Sequence, residues 1–256
     1  MSPIASHNDN LVHFSRSVPT GTILLSVNMT RWEQLQRELF PHRIWAVTTL
    51  QAPDPTGFSS PAEAKLLRQA EEELAGRFVD NRTTVYLGAL THAGQHVAVF
   101  HSKSDNLLGN GPAHRILTTR YLWDVYYGED PAYDFLRLKM IPSAREHRRV
   151  RDAEVLGALA NAQDNTIVPR PLTFYGLFPA PQNAEMAAQQ LLRAGFRPSP
   201  ASQMPGNSAL PWSLMFQRSC RTDPETIERI SSAADEIIEA CGGAYDGWSC
   251  EPVPMR

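Results

Sequence analysis

"GGAYDGWSC", Gly242–Cys250, follows a long helical pattern near the carboxyl end of the sequence, and its reading decides the fold. Taken as a cluster of glycines, aromatics and an acid, it suggests a site. Taken as a helix end plus a strand, it closes a sheet. The second reading has the better physical footing. Gly242 and Gly243 suit the left-handed positions that end a helix and satisfy its last carbonyls. "AYDGWSC" then runs as a strand. On a regular period of two, Tyr245 and Gly247 face one way, and Asp246, Trp248 and Cys250 the other. Gly247 marks a bulge or a close backbone approach. The aromatics suit sheet packing; Tyr245, Asp246 and Trp248 are also the candidate partner-contacting residues at this end.

Upstream, "DPETIERISSAADEIIEAC" is a helix with Asp223 as cap, Pro224 as first helical residue and a core stripe of Ile227, Ile230, Ala234, Ile237 and Cys241. "PWSLMFQRSC" sets Trp212, Leu214 and Phe216 against Ser213, Met215 and Gln217, the period of a half-buried strand. "PLTFYGLF" reads as another strand, and "NAEMAAQQLLRAG" as a helix stopped by Gly195. The order β-α-(β)-β-α-β is the split βαβ, ferredoxin-like arrangement. A helix over "MIPSAREHRRVRDAEVLGALANAQ" precedes it, with Ser143 and Glu146 forming a capping box.

The first half is also mixed. "TGTILLSVN" and "RIWAVTTLQA" suit strands, and "TRWEQLQRELF" a helix capped by Thr30 with Glu33. "SPAEAKLLRQAEEELAGRF" is a helix with Ser60 as cap, Pro61 at its first position and Glu63 completing a capping box. "TTVYLGALTHAGQHVAVFHSK" is a hairpin turning at Ala93-Gly94. A short helix around "PAHRILTTRYL" and a strand around "WDVYYG" complete the unit. The expected fold class is therefore α+β in two domains. A loose tail covers residues 1–18, an α+β domain 19–141, and a ferredoxin-like domain 142–256. The first domain is expected to be a similar α/β sandwich.

Composition narrows function. The 256 residues are 42% hydrophobic and 20% charged with a net charge of −3, which supports a sizeable core and gives no global pull toward nucleic acid or anionic membrane. No apolar run has the length of a membrane span, and "MSPIASHNDNLVHFSRS" lacks a signal pattern, so a cytoplasmic protein is expected. Cys220, Cys241 and Cys250 have no C-x-x-C spacing, which argues against a disulfide framework and a zinc knuckle.

The second half resembles the RraB family, named as regulators of ribonuclease E activity. The residues that carry the resemblance are "FYGLFPAPQNAEMAAQQLLRAGFRP", the strand and helix after it, the closing "GGAYDGW" and the leading "DAEVLGALANAQDN", over Ser143–Val253. The first half is similar to domain-of-unknown-function family 695, through the Thr56-Gly57 loop before a capped helix and "LGALTHAGQHVAVFHS". The RraB resemblance implies a ferredoxin-like domain in a non-enzymatic protein that binds a protein partner, an endoribonuclease in the known case. The family's acid-rich segment after the leading helix is here only "AQDNTIVPR".

No catalytic signature competes with that reading. There is no G-x-S-x-G, and no Gly-rich turn opens a helix. His96 and His101 differ by an odd number, so they fall on opposite faces of a strand and spoil a simple metal-ligand set with His92. No cofactor is expected. "REHRRVR" concentrates positive charge: Arg145, Arg148 and Arg149 share a helix face and are candidate partner contacts, while Arg148 can pair with Asp152. Two alternatives remain. One is an enzyme or small-molecule binder using a cleft between the domains. The other is direct RNA binding, with Phe174, Tyr175, Trp212 and Phe216 as stacking candidates.

Overall fold

The structure is a computed structural model and describes residues 10–79, 83–104, 113–204 and 209–254. The chain divides into two compact units, Met1–Ile141 and Pro142–Arg256.

Among the described residues, the first unit contains β1 (Leu11–Val18), β2 (Gly21–Asn28), α1 (Met29–Gln34), β3 (His42–Thr49), α2 (Pro61–Phe78), β4 (Thr84–His92), β5 (Gln95–Ser102), β6 (Ala113–Leu117) and β7 (Leu122–Glu129). The strands form one antiparallel sheet in the order β1-β2-β4-β5-β3-β7-β6. Leu67, Ala70 and Leu74 of α2 join Ile44, Ala46 and Phe100 of the sheet in one buried cluster. This explains why α2 holds: its stripe of apolar residues recurs at three and four, as a helix lying on a sheet requires.

Several expectations are corrected here. Residues 1–9 lie outside the described residues, but Leu11–Val18, expected to be loose, pair along β2 from end to end. The segment expected as a short helix around "PAHRILTTRYL" is β6 and a turn; the Thr118 amide donates to the Tyr121 carbonyl at 2.9 Å and closes a hairpin. Asn28, not Thr30, caps α1, accepting from the Arg31 amide at 3.0 Å. Ser60 does cap α2, but Glu63 leaves the capping box. Its carboxylate accepts from the Ala52 amide at 3.2 Å and the Tyr121 hydroxyl at 3.1 Å, tying the helix start to two loops. The unit is α+β as expected, but its strand order is not that of the second domain: among the described residues, seven antiparallel strands carry one long helix.

The second unit runs α3 (Ala144–Asn161), β8 (Arg170–Phe178), α4 (Pro181–Arg193), β9 (Arg197–Pro198), β10 (Ser202–Gln203), β11 (Trp212–Cys220), α5 (Pro224–Ala240) and β12 (Ala244–Ser249). β12 pairs β8, β8 pairs β11, and β11 pairs the short β9, all antiparallel. That is the strand order of a ferredoxin-like sheet, with β10 extending one edge and α3 added in front. Phe174 and Phe216 stack at 5.6 Å between centroids, and Phe196 meets both edge-on. Leu214, Ile227 and Ile238 complete the middle of this core.

Gly242–Cys250 resolves into three local solutions. Gly242 is left-handed, at φ 74°, and ends α5. Gly243 is not; there a Cβ would lie 2.5 Å from the Phe178 ring and 2.7 Å from the Leu177 carbonyl, so the residue is glycine for want of room. Gly247, at φ 94°, sits in a bulge between Tyr245 and Trp248. The bulge breaks the period of two. Tyr245 and Trp248, expected on opposite faces, are both buried.

Candidate functional site

The candidate residues converge where α3 meets α5 and β12. Ser143 and Glu146 form the expected capping box and fix the start of α3. One turn on, Arg148 enters a seam lined by α5. Its Nε donates to Asp235 at 3.1 Å, and its Nη1 to Ser231 at 3.3 Å and to the Glu228 carbonyl at 3.4 Å. Asp152, the expected i+4 partner, lies at 3.9 Å. At that distance the two form the expected ion pair, and Asp152 also accepts from the Ser231 hydroxyl at 2.6 Å and from the Trp248 indole at 2.9 Å. Helix, helix and last strand are thus joined by one buried polar network.

Burial sets the direction at the two more enclosed carboxylates. It raises the Asp152 pKa despite the bonds from Ser231 and Trp248 and the Arg148 charge. It raises Asp235 as well, with help from Glu239. At Glu228 burial pushes upward but is outweighed by the Arg149 hydrogen bond and the Arg148 and Arg149 charges, which hold the carboxyl below its ordinary value. Three guanidiniums share the Glu228 Oε1 atom: Arg149 at 3.0 Å, Arg148 at 3.4 Å and Arg145 at 3.6 Å.

Of the six expected partner contacts, Arg148, Tyr245 and Trp248 are buried, at 3%, 8% and 4% exposure, and present no surface. They hold the unit together. Arg145, Arg149 and Asp246 are exposed, and Asp246 pairs with Arg151 at 3.2 Å. Arg151 also donates to the Tyr245 carbonyl at 3.1 Å. Sequence reasoning missed this clamp and the Trp248–Asp152 bond. No local spacing in the sequence links Arg151 to Asp246 or Asp152 to Trp248, which are more than ninety residues apart.

The remaining candidates are also placed. Phe174 and Phe216 are fully buried, so they cannot stack bases; Tyr175 sits on the other face of the sheet, its hydroxyl 3.1 Å from Ser249. His96 and His101 fall on opposite faces as the spacing requires: His96 faces Glu71 of α2, and His101 stacks on Tyr133 at 4.0 Å. Burial lowers the His101 pKa to about 4 against the hydrogen bond to the Phe40 carbonyl, so the ring is neutral at pH 7. Among the described residues, no group of three or more His, Cys, Asp or Glu is arranged to hold a metal ion. Among them no helix is long and apolar enough to cross a membrane.

Fold and site together define a two-unit α+β protein whose C-terminal unit is a ferredoxin-like sheet locked by a structural polar seam. Residues 150–250 match the family described as Regulator of ribonuclease activity B, RraB. Residues 10–135 match the Family of unknown function DUF695. The two matches fall where the sequence resemblances place them. No curated protein matches the chain.

Proposed function

We propose that the chain is a non-enzymatic regulatory protein of the cytoplasm, and that its C-terminal unit binds and restrains an endoribonuclease. The observation that carries the reading is the match of residues 150–250 to Regulator of ribonuclease activity B. The start of α3 is the surface we assign to the partner. Arg145 and Arg149 stand exposed and both pair with Glu228, so two surface cations meet one carboxylate there, while Arg148 is balanced inside by Asp235 and Asp152. Capture by strand addition at β12 is less suited. Its edge is interrupted by the Gly247 bulge, and its Tyr245 carbonyl is already engaged by Arg151. Binding at α3 would act by occlusion, lowering nuclease output without chemistry.

The test mixes the purified full chain with a purified endoribonuclease from the same organism and follows cleavage of a labelled RNA. Expected are a stable complex and slower cleavage, both weakened by the Arg145→Glu/Arg149→Glu double variant. Unchanged cleavage with no complex at saturating protein sinks the reading. Retention of RNA without the nuclease would replace it with direct RNA binding.

A further inference from the structure

In the first unit, a groove of about 730 Å³ lies between α2 and the β1-β2-β4 end of the sheet. This is the size of a small-molecule site. Its lining is largely apolar, with Leu11, Leu24, Leu25, Ala64, Leu67 and Ala89. Four polar side chains interrupt that surface at its buried side: Glu71, Tyr86, Thr91 and His96, none more than 9% exposed. Charged and titratable groups this enclosed are uncommon in an interface between helix and sheet unless they are paired or used.

Their pairing is incomplete. The Tyr86 hydroxyl donates to Glu71 Oε1 at 2.7 Å, and His96 Nδ1 lies 2.8 Å from Thr91 Oγ1. His96 Nε2 is buried and has no hydrogen-bond partner among the described residues. It faces Glu71 Oε2 at 3.6 Å, beyond hydrogen-bonding distance. A carboxylate opposite Nε2 favours the tautomer with its proton there, in which Thr91 donates to Nδ1. Donor and acceptor then stand 3.6 Å apart, too far for a good hydrogen bond and too close to admit an atom between them.

We propose that this groove binds a small apolar molecule bearing a hydroxyl, an alcohol or a phenol, whose oxygen bridges Glu71 and His96. A hydroxyl oxygen can lie about 2.8 Å from both atoms only beside the line that joins them, with the Glu71 carboxylate swung aside to uncover Nε2. It donates to Glu71 Oε2 and accepts from His96 Nε2–H at once. An ether only accepts, an ammonium only donates, and a carboxylate meets the Glu71 charge. At the mouth, burial and then the Arg68 charge lower the His13 pKa against the opposing pull of Glu71, which favours an uncharged imidazole there. Arg68 and Glu72 supply opposite charges on the same helix rim. The inference concerns the N-terminal unit and stands apart from the nuclease reading of the C-terminal one.

The experiment titrates the full chain with 2-naphthol and with 2-methoxynaphthalene, which keeps the ring and the acceptor but loses the donor, and follows ligand fluorescence anisotropy. Saturable binding of 2-naphthol is expected, at least about tenfold tighter than the ether, because a hydrogen bond to a charged acceptor is lost. Glu71→Gln should shrink that preference to about twofold or less. Ala64→Trp, at an exposed helix position in the lining, should abolish binding of both probes. In the wild-type chain the His96 imidazole resonances should shift on adding 2-naphthol, a readout that needs no variant. Absent saturable binding, an unshifted His96, or binding indifferent to Ala64→Trp in a folded variant overturns the proposal.

Discussion

The Trp248 indole donates a 2.9 Å hydrogen bond to the Asp152 carboxylate and so fastens the last strand of the second unit to its leading helix. Neither residue reaches solvent to any extent that a partner could use. Trp248→Phe, which keeps the ring packing but leaves a buried acceptor short of a donor, should cost about 1–3 kcal/mol. Trp248→Ala should cost about 3–5 kcal/mol. Tyr245→Phe should stay within about 0.5 kcal/mol, because the buried Tyr245 hydroxyl has no partner among the described residues. Urea denaturation of the three variants checks the order. A costly Tyr245→Phe would show that the seam is misread.

The arginines of α3 should separate by burial. Arg148→Ala strands Asp235 and Asp152 without their cation and should cost about 3–5 kcal/mol. Arg145→Glu and Arg149→Glu lie on the surface and should each shift stability by no more than about 1 kcal/mol. Thermal melts distinguish the two groups. Equal losses at all three positions would contradict the assignment of Arg148 to the interior.

Asp164 gives an acid-side prediction. Burial alone would raise its pKa, but the Val253 amide, Arg170 and Thr222 outweigh that and hold it below 3.8. A depressed carboxyl stabilises the fold above its unfolded value, and that contribution is lost as pH falls through the folded one. Asp164→Asn should therefore cost about 3–5 kcal/mol at neutral pH by stranding the buried Arg170. The gap between variant and wild type should narrow below pH 3.8. Urea melts at pH 7 and pH 3 measure it.

His101 should govern the first unit from the other side. Its folded pKa near 4 lies below the ordinary 6.5, so the unfolded chain takes up the proton first. The stabilisation is full above pH 6.5 and is lost as pH falls toward 4. The Hε1 resonance of His101 should titrate with a midpoint near 4. A midpoint near 6.5 would mean that the ring is not enclosed beneath Tyr133.

Gly243→Ala should destabilise the second unit by more than Gly247→Ala. The first puts a methyl group against Leu177 O and the Phe178 ring, where backbone must shift. The second meets open space and bears only the strain of a positive φ. Comparing their urea midpoints tests whether room or conformation is the harder constraint in this turn.

Much of this molecule is decided locally, and sequence alone determined that part. The caps at Ser60, Ser143 and Asp223, the turn at Ala93-Gly94 and the stripe of α2 follow from hydrogen bonds and periodicities spanning a few residues, and so does most of the α5 stripe, where Ile238 rather than the expected Ile237 is fully buried. The ferredoxin-like order follows from those elements in sequence. What only the tertiary structure decided involves residues brought together from far along the chain. "REHRRVR" looks like a charged surface until α5 supplies Glu228, Ser231 and Asp235, whereupon Arg148 becomes interior. Tyr245 and Trp248 share an environment only because the Gly247 bulge shifts the register by one. The Glu71, Tyr86, Thr91 and His96 quartet draws one member from a helix and the rest from two strands, so no spacing in the sequence announces it. A side chain's environment depends on which distant segments pack against it, and local patterns carry no record of that choice.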